Sequence, residues 1–395
     1  MTGRGAGGMI GGLVAGAIDP RLMANLNAGR PAVLVTGTNG KSTTTRMLVS
    51  ALRTHLSVAT NPGGDNMDAG IISALMEAGD AQLMVLECDE LHVPHVAERL
   101  GAQVLVLLNL SRDQLDRVGE INTIERRLRE YVNSNPDLIV IANCDDMMVS
   151  SVAYDCPNVI WVSVGTTWHN DANSCPRTGG AIIREGEHWR AVKPLPDGRI
   201  FERQTPTWEV DAEGIHYENQ TYPLNLKLPG AANRGNAAQA VAAAVEVFDI
   251  PINEAVTAVE SVDDVAGRYA TINFEKWQIH MLLAKNPAGW QEALSMVDRT
   301  ADGLVIAVNG QVADGQDLSW IWDVKFEDFE RLPVVASGER GTDLAVRLTY
   351  ADVTHTLHKN PIEAIRSCPP GRVELLANYT AFRDIRKKLK ELTHD

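Results

Sequence analysis

The chain of 395 residues reads as an α/β protein: a parallel sheet with helices on both faces, a small β insertion, and a second, smaller α/β domain. Three observations predict this. Strand-like and helix-like runs alternate through residues 1–150, the pattern of repeated βαβ units. The apolar run Ala32–Val35 leads through a glycine turn into Lys41 and Ser42, as a strand does when it feeds a phosphate-binding loop and a helix. A second alternating series starts near Gly267-Arg268-Tyr269, after an interval of different character.

Taken in order, strands are expected at Ala32–Val35, Gln82–Glu87, Val104–Asn109 and Leu138–Ala142, because each is a short apolar run bounded by polar or turn residues. Helical periodicity lies between them at Ser42–Leu56 and Glu120–Asn133, with a further helix around Pro20–Asn27. Over residues 151–228 Trp, Gly, Pro and charged residues rise. Short alternating runs at Ala181–Arg184, Trp208–Val210 and Gly214–Tyr217 predict a small antiparallel insertion that ends at Leu228-Pro229-Gly230. An Ala-rich helix, Asn233–Val247, returns to the first domain. Beyond it, strands at Ile279–Ala284, Leu304–Val308 and Val334–Ala336 alternate with helices at Gly289–Asp298, Thr342–Tyr350 and Pro361–Arg366. No internal repeat or low-complexity tract is visible.

Composition narrows the function classes. A formal net charge of −15 argues against a nucleic-acid binder and against a simple electrostatic membrane anchor. A hydrophobic content of 45% is enough for full cores. No stretch is long enough to span a bilayer and no signal peptide is expected; Met9–Ile18 is apolar but far too short. Five scattered cysteines, Cys88, Cys144, Cys156, Cys175 and Cys368, fit a reducing, cytoplasmic setting without a disulfide framework.

The chemistry starts at Thr36-Gly37-Thr38-Asn39-Gly40-Lys41-Ser42-Thr43. Backbone N–H groups of such a turn point at an anion, the Lys neutralises β/γ-phosphate charge, and the hydroxyl reaches Mg²⁺. The general phosphate-loop pattern asks for Gly five residues before Gly40, where this chain has Val35. The shorter form closely resembles the loop of Mur ligases and folylpolyglutamate synthetases. Glu87 ends a strand-like run, where ligands gather in open parallel sheets, and is a candidate Mg²⁺ ligand with Ser42.

Further elements resemble the Mur ligases in the same order. Glu87-Cys88-Asp89-Glu90 resembles their Glu-x-Asp-Glu element. The stretch from Asn109 through Asp113, Gln114 and Asp116 resembles Asn-x-x-x-Asp-His-x-Asp, with Gln114 in place of the His; Asp113 or Asp116 is a candidate for the surroundings of the metal or nucleotide. Asn143-Cys144-Asp145-Asp146 resembles Asn-x-Asp-Asp, and Asn233-Arg234-Gly235-Asn236-Ala237 resembles Asn-x-x-Asn-Ala, whose first Asn lies near the adenine. The resemblance implies a Mur-ligase-type ATPase domain over residues 1–265, with a degenerate ribbon-like insertion at about 165–227, and a Rossmann-like α/β domain over 266–395. It also implies nucleotide contacts at Thr36–Thr43, Asn109, Asn143, Asp145, Asn233 and Arg268.

The loop opens at Thr36, so the uridine-diphosphate-binding domain of ordinary Mur ligases is not expected ahead of it. Three C-terminal stretches, Leu282–Trp290, Asp314–Asp323 and Ser337–Arg347, closely resemble the MurT family, and Asn61–Met67 and Arg112–Arg117 fit as well. The resemblance implies ATP-dependent amidation of the α-carboxyl of D-glutamate in the lipid II stem peptide, through an acyl phosphate, within peptidoglycan biosynthesis. The ammonia would come from a GatD-type glutaminase partner in a heterodimer working at the inner face of the plasma membrane. The resemblance implies that such a partner borrows an Asp that orients its His. Asp317 is the first choice, with Asp314 and Asp323 as alternatives and Trp320 and Trp322 as interface anchors. Lys285 and Asn286 are candidates for substrate or γ-phosphate contact. Arg340, Asp343 and Arg347 fall on one helix face, open to a partner or to solvent.

Many MurT chains carry a four-Cys zinc ribbon. Here Cys175-Pro176-Arg177-Thr178 keeps one ligand and loses the second, and only Cys156, His169 and His188 lie near in sequence. Zinc is not expected; packing should hold the insertion. Two other readings remain: a stand-alone amide ligase of the folylpolyglutamate type, and a non-catalytic ATP-binding scaffold.

Overall fold

The computed structural model describes Asp19 and residues 21–61, 65–112, 120–165, 174–263, 269–329 and 332–393. The chain divides into two compact units, Met1–Ser111 with Gly119–Ala266, and Arg112–Val118 with Gly267–Asp395.

The strands of the first unit are β1 (Ala32–Thr36), β2 (Val58–Ala59), β3 (Leu83–Glu87), β4 (Val104–Leu107), β5 (Ile139–Asn143), β6 (Val159–Ser163), β7 (Ile182–Glu185), β8 (His188–Ala191), β9 (Trp208–Val210), β10 (Gly214–Tyr217) and β11 (Gln220–Pro223). Its helices are α1 (Leu22–Asn27), α2 (Lys41–Leu52), α3 (Asp68–Glu77), α4 (Val93–Leu100), α5 (Glu120–Ser134), α6 (Met147–Ala153), α7 (Ala231–Phe248) and α8 (Ile252–Glu260). Among the described residues, nine strands form one sheet in the order β11-β10-β9-β6-β5-β4-β1-β3-β2. All neighbours from β2 to β9 are parallel; β10 and β11 add an antiparallel edge.

β1 is buried along its whole length, as expected of a strand covered on both faces. It lies between β3 and β4, so the chain runs to one side of β1 and then crosses to the other. That reversal makes the carboxyl end of β1 the topological switch point. The Ala-rich α7 packs on α2, its small side chains permitting close approach.

The insertion is smaller than the sequence predicts. β9 pairs in parallel with β6, and β10 pairs with β9, so Trp208–Val210 and Gly214–Tyr217 extend the main sheet. Trp208 is the reason. It is fully buried, stacks on Tyr217 with centroids 3.9 Å apart, and donates its indole N–H to Glu246 of α7 at 2.9 Å. What stands apart is the β7–β8 hairpin over a core of Met147, Cys175, Trp189, Ala191, Leu195 and Phe201. Cys175 sits in a tight turn, its N–H donating to Gly180 O and its carbonyl accepting from Gly179 N, both at 2.8 Å. Its side chain is packed against apolar neighbours.

The second unit contains β12 (Tyr269–Phe274), β13 (Trp277–Leu283), β14 (Gly303–Ala307), β15 (Val334–Ser337), β16 (His355–Leu357) and β17 (Gly371–Ala377), with α9 (Pro287–Met296), α10 (Gly341–Tyr350), α11 (Pro361–Ser367) and α12 (Tyr379–Thr393). The sheet order is β12-β13-β17-β14-β15-β16, parallel except for β12. Alternation along β14 separates two cores: Leu304 and Ile306 join Trp290 and Trp320, while Val305 and Ala307 join Ile365 and Phe382.

Trp189→Ala should lower the unfolding free energy of the first unit by about 3–5 kcal/mol, because it empties the centre of the hairpin core and strips Cys144 O of an indole N–H donor at 3.3 Å. Urea denaturation followed by tryptophan-independent far-UV ellipticity measures it.

Candidate functional site: a phosphate cradle at the switch point

The loop after β1 turns through Gly37 at φ +141° and Gly40 at φ +88°, both in the region that favours glycine. A Cβ on Gly37 would stand 2.9 Å from Leu108 Cβ and 3.0 Å from Asn109 N and O; one on Gly40 would stand 2.5 Å from Asn236 Oδ1. Asn109 clamps the turn. Its carbonyl accepts from Thr38 N, its Oδ1 accepts from Asn39 N, and its Nδ2 donates to Asn39 O, each at 2.9 Å. Thr36 donates its hydroxyl to Cys88 O at 2.8 Å, tying β1 to the end of β3. α2 then starts at Lys41 with no side-chain cap and no acidic residue in its first turn, which leaves the first N–H groups to an anion.

Lys41 Nζ folds back over the loop to Gly37 O (2.5 Å) and Thr38 O (3.4 Å), and pairs with Glu90 Oε2 at 3.4 Å. Ser42 Oγ donates to Glu87 Oε2 at 2.7 Å. The other oxygen of Glu87 accepts from Asn66 Nδ2 at 3.1 Å, and Asn61 holds the Glu87 backbone at N and O, both at 2.8 Å. Burial, then the charge of Asp89, raises the thiol pKa of Cys88 well above its ordinary value, so Cys88 serves packing.

Asn143 donates to Leu108 O at 3.0 Å and accepts from Asp145 N at 2.9 Å. Asp145 is engaged by the chain itself: Val164 N (2.7 Å), Gly165 N (2.9 Å) and Ser163 Oγ (3.2 Å) donate to one oxygen, and Arg203 Nε (2.8 Å) to the other. Asn233, in the first turn of α7, donates to Pro229 O at 2.5 Å and accepts from Asn236 at 3.4 Å. Thr43 is buried in the first turn of α2. Thus Thr36–Thr43, Glu87 and Asn109 converge, and Asn143 braces the strand end beside them. Arg268, Asp113 and Asp116 lie outside the described residues. Asn61, Asn66, Glu90 and Asn236 line or brace the cradle without a local signal of their own; each lies inside a stretch that resembles known families.

In the second unit, Lys285 is exposed just past β13. Asn286 is buried and caps α9, its Oδ1 accepting from Gly289 N at 2.9 Å. The three candidate aspartates differ. Asp314 accepts from Thr380 N at 2.9 Å and, very closely, from the Thr380 hydroxyl. Asp323 pairs with Arg112 at 3.1 Å. Asp317 is exposed, and the Ser319 N–H at 2.8 Å, with its hydroxyl, holds the Asp317 carboxyl below the usual carboxylate range. Of the two expected anchors, Trp320 is in the core against Trp290, while Trp322 is exposed and meets Tyr350 edge-on. Arg347 does not share an outward face with Arg340 and Asp343: it is buried, donating to Val324 O and to Glu327 at 2.7 Å each.

A sheet that reverses at β1, a Gly-Lys-Ser cradle there and a strand-end carboxylate define a nucleotide-handling α/β protein of the phosphate-loop class. The family described as Mur ligase middle domain matches residues 35–244, and that described as MurT ligase C-terminal matches residues 283–382. The chain therefore belongs to the Mur ligase family and, within it, to the MurT branch. It is 28% identical over 342 residues to the lipid II isoglutaminyl synthase (glutamine-hydrolyzing) subunit MurT of Staphylococcus aureus strain COL, covering 81% of this chain and 77% of that one. Against the subunit of the same name from Streptococcus pneumoniae R6 it is 26% identical, covering 98% and 93%. Among solved structures, a pseudomurein peptide ligase type C from Methanothermus fervidus matches in fold with a TM-score of 0.70 at 18% identity, over 92% of this chain and 79% of that one.

Gly37→Ala should weaken ATP binding by more than tenfold and cost about 1–3 kcal/mol of stability, since it forces a positive φ on alanine against Leu108 and Asn109. Fluorescent-nucleotide titration and chemical denaturation measure the two effects.

Proposed function

We propose that this chain is the synthetase subunit of a lipid II isoglutaminyl synthase, an ATP-dependent ligase of peptidoglycan biosynthesis. The carboxylate of the stem-peptide D-glutamate attacks the γ-phosphorus of ATP, ADP leaves, and an acyl phosphate forms. Ammonia then attacks the acyl carbon, phosphate departs, and the nitrogen loses a proton to leave the D-isoglutamine amide. The observation that carries this reading is one chain joining an intact phosphate cradle to a MurT-type C-terminal unit.

Each cradle residue has a part in the proposal. The N–H groups of the loop and of the start of α2 receive the phosphates. Lys41 exchanges Gly37 O for a phosphate oxygen and offsets charge on the transferring group. The donor set of Ser42 hydroxyl and Glu87 carboxylate, 2.7 Å apart and steadied by Asn66, fits a hard divalent cation, and we assign Mg²⁺ to it. When bound, that ion neutralises phosphate charge and fixes its orientation. Lys285 is assigned a role in contacting the substrate, and Asn286, which caps α9, keeps the Lys285 turn in place.

The ammonia source is proposed to be a GatD-type glutaminase partner. Its catalytic histidine needs a carboxylate that is accessible and ionised. Asp317 meets both needs, whereas Asp314 is tied to Thr380 and Asp323 to Arg112. The lipid substrate is proposed to be met at the inner membrane face from the cytoplasmic side, as in the MurT reading; among the described residues no helix is long and apolar enough to cross a membrane.

Lys41→Ala should cut ATP-dependent amidation by about 10²–10³-fold with the partner complex still assembled. Amide formation that survives this change would refute the assigned role. Asp317→Asn should lower glutamine hydrolysis in the complex by about 10³-fold or more while ATP binding stays unchanged. The paired assay is ammonia release against nucleotide titration. Glutamate-dependent ligation without any partner would instead favour the stand-alone amide ligase.

A further inference from the structure

Outside the cradle, the first unit brings Asp68, His92 and His95 to one point. Asp68 is the first residue of α3; His92 precedes α4 as its cap and His95 lies one turn further on the same face. Asp68 Oδ1 stands 2.8 Å from His92 Nδ1 and 2.7 Å from His95 Nε2, and the two imidazole centroids are 5.2 Å apart. Among the described residues this is the one group of three metal-ligating side chains whose donor atoms fall within 4.8 Å of one another.

We infer that Asp68, His92 and His95 form a binding site for one zinc-class divalent ion, separate from the phosphate cradle. The chemistry of the donors carries the choice of ion. Two imidazole nitrogens and one carboxylate oxygen suit Zn²⁺, Co²⁺ or Ni²⁺, while Mg²⁺ prefers an all-oxygen shell. Both rings converge on a single carboxylate oxygen instead of taking one each. The second oxygen is left to Arg99 Nη1 at 3.6 Å, which steadies the carboxylate from outside as metal ligands commonly require. The three side chains are about a third exposed, at 38%, 32% and 38%, which gives an ion access and leaves its remaining position to water.

The placement gives the ion a consequence. Asp68 follows Asn66, whose amide holds Glu87, by two residues. His92 follows Glu90, the partner of Lys41, by two residues. Asp89 N donates to Asn66 O at 2.9 Å, so the two segments already touch. An ion shared by Asp68 and His92 clamps together the two segments that present the acidic side of the cradle.

The test is calorimetric titration of Zn²⁺ into the chelator-stripped full chain in buffer containing excess Mg²⁺, with the visible absorption of Co²⁺ as a second readout. The expected result is one ion per chain, bound in the micromolar range or tighter, with a Co²⁺ spectrum of nitrogen and oxygen ligation. His95→Ala and Asp68→Asn should each weaken it more than about tenfold, with metal-free melting curves confirming that both variants fold. His188→Ala, in the β7–β8 hairpin, should leave binding unchanged. Absence of binding in the wild type would overturn the inference. So would binding that survives His95→Ala and Asp68→Asn, or that is lost with His188→Ala.

Discussion

The clamp of Asn109 on the loop after β1 is the constraint on which the rest of the cradle depends. The three bonding groups of Asn109 could not reach Thr38 and Asn39 unless the loop backbone lay against the end of β4. It lies there only because Gly37 has no Cβ to meet Leu108. With the turn held, the direction of α2 is set, its uncapped N–H groups point to the switch point, and Lys41 and Ser42 emerge on the side where β3 ends. The anion site is thus a consequence of strand order: β1 has β3 on one flank and β4 on the other, and each flank supplies one wall.

Charge explains why those walls are so densely hydrogen-bonded. Glu87 and Glu90 are both buried, and a buried carboxylate is costly unless it is paired. Glu90 has the Lys41 ammonium; among the described residues Glu87 is met by neutral donors, the Ser42 hydroxyl and the Asn66 amide. Neutral donors reduce the cost without cancelling the charge. A carboxylate left in that state favours a cation beside it, which is the physical ground for proposing Mg²⁺ there. Lys41, bound meanwhile to a loop carbonyl and to Glu90, is kept close to the position in which phosphate charge would draw it.

Much of this was legible in the sequence, and the exceptions share a cause. Apolar runs such as Ala32–Val35 and Leu304–Val308 marked buried parallel strands, and the Gly-Lys-Ser turn marked the cradle, because these signals are local. Asn61 and Asn66 escaped notice as site residues because their function is to hold Glu87, more than twenty positions away. Trp208–Val210 looked like part of an insertion; nothing local shows that Trp208 would find Glu246 and Tyr217 and join the main sheet. Arg347 at i+7 from Arg340 looked like a surface charge, yet carbonyls of the 321–324 segment and Glu327 satisfy it in the interior. Helical spacing assigns a face, but not which face the neighbouring loop will cover.

The aspartates between 314 and 323 show how one loop can hold a carboxylate still without using it up. Asp314 fastens the start of the loop to the first residues of α12 through Thr380. Arg347 fastens its far end, reaching Ile321 O and Val324 O beneath Trp322. Between these anchors Asp317 spends one oxygen on the Ser319 N–H, which fixes the side-chain rotamer and keeps the group ionised, and presents its other face to solvent. An imidazole approaching from a partner subunit would meet a carboxylate whose orientation is already determined, so little conformational entropy is lost on engagement. That economy is what separates Asp317 from its two neighbours, each of which would first have to break an internal bond.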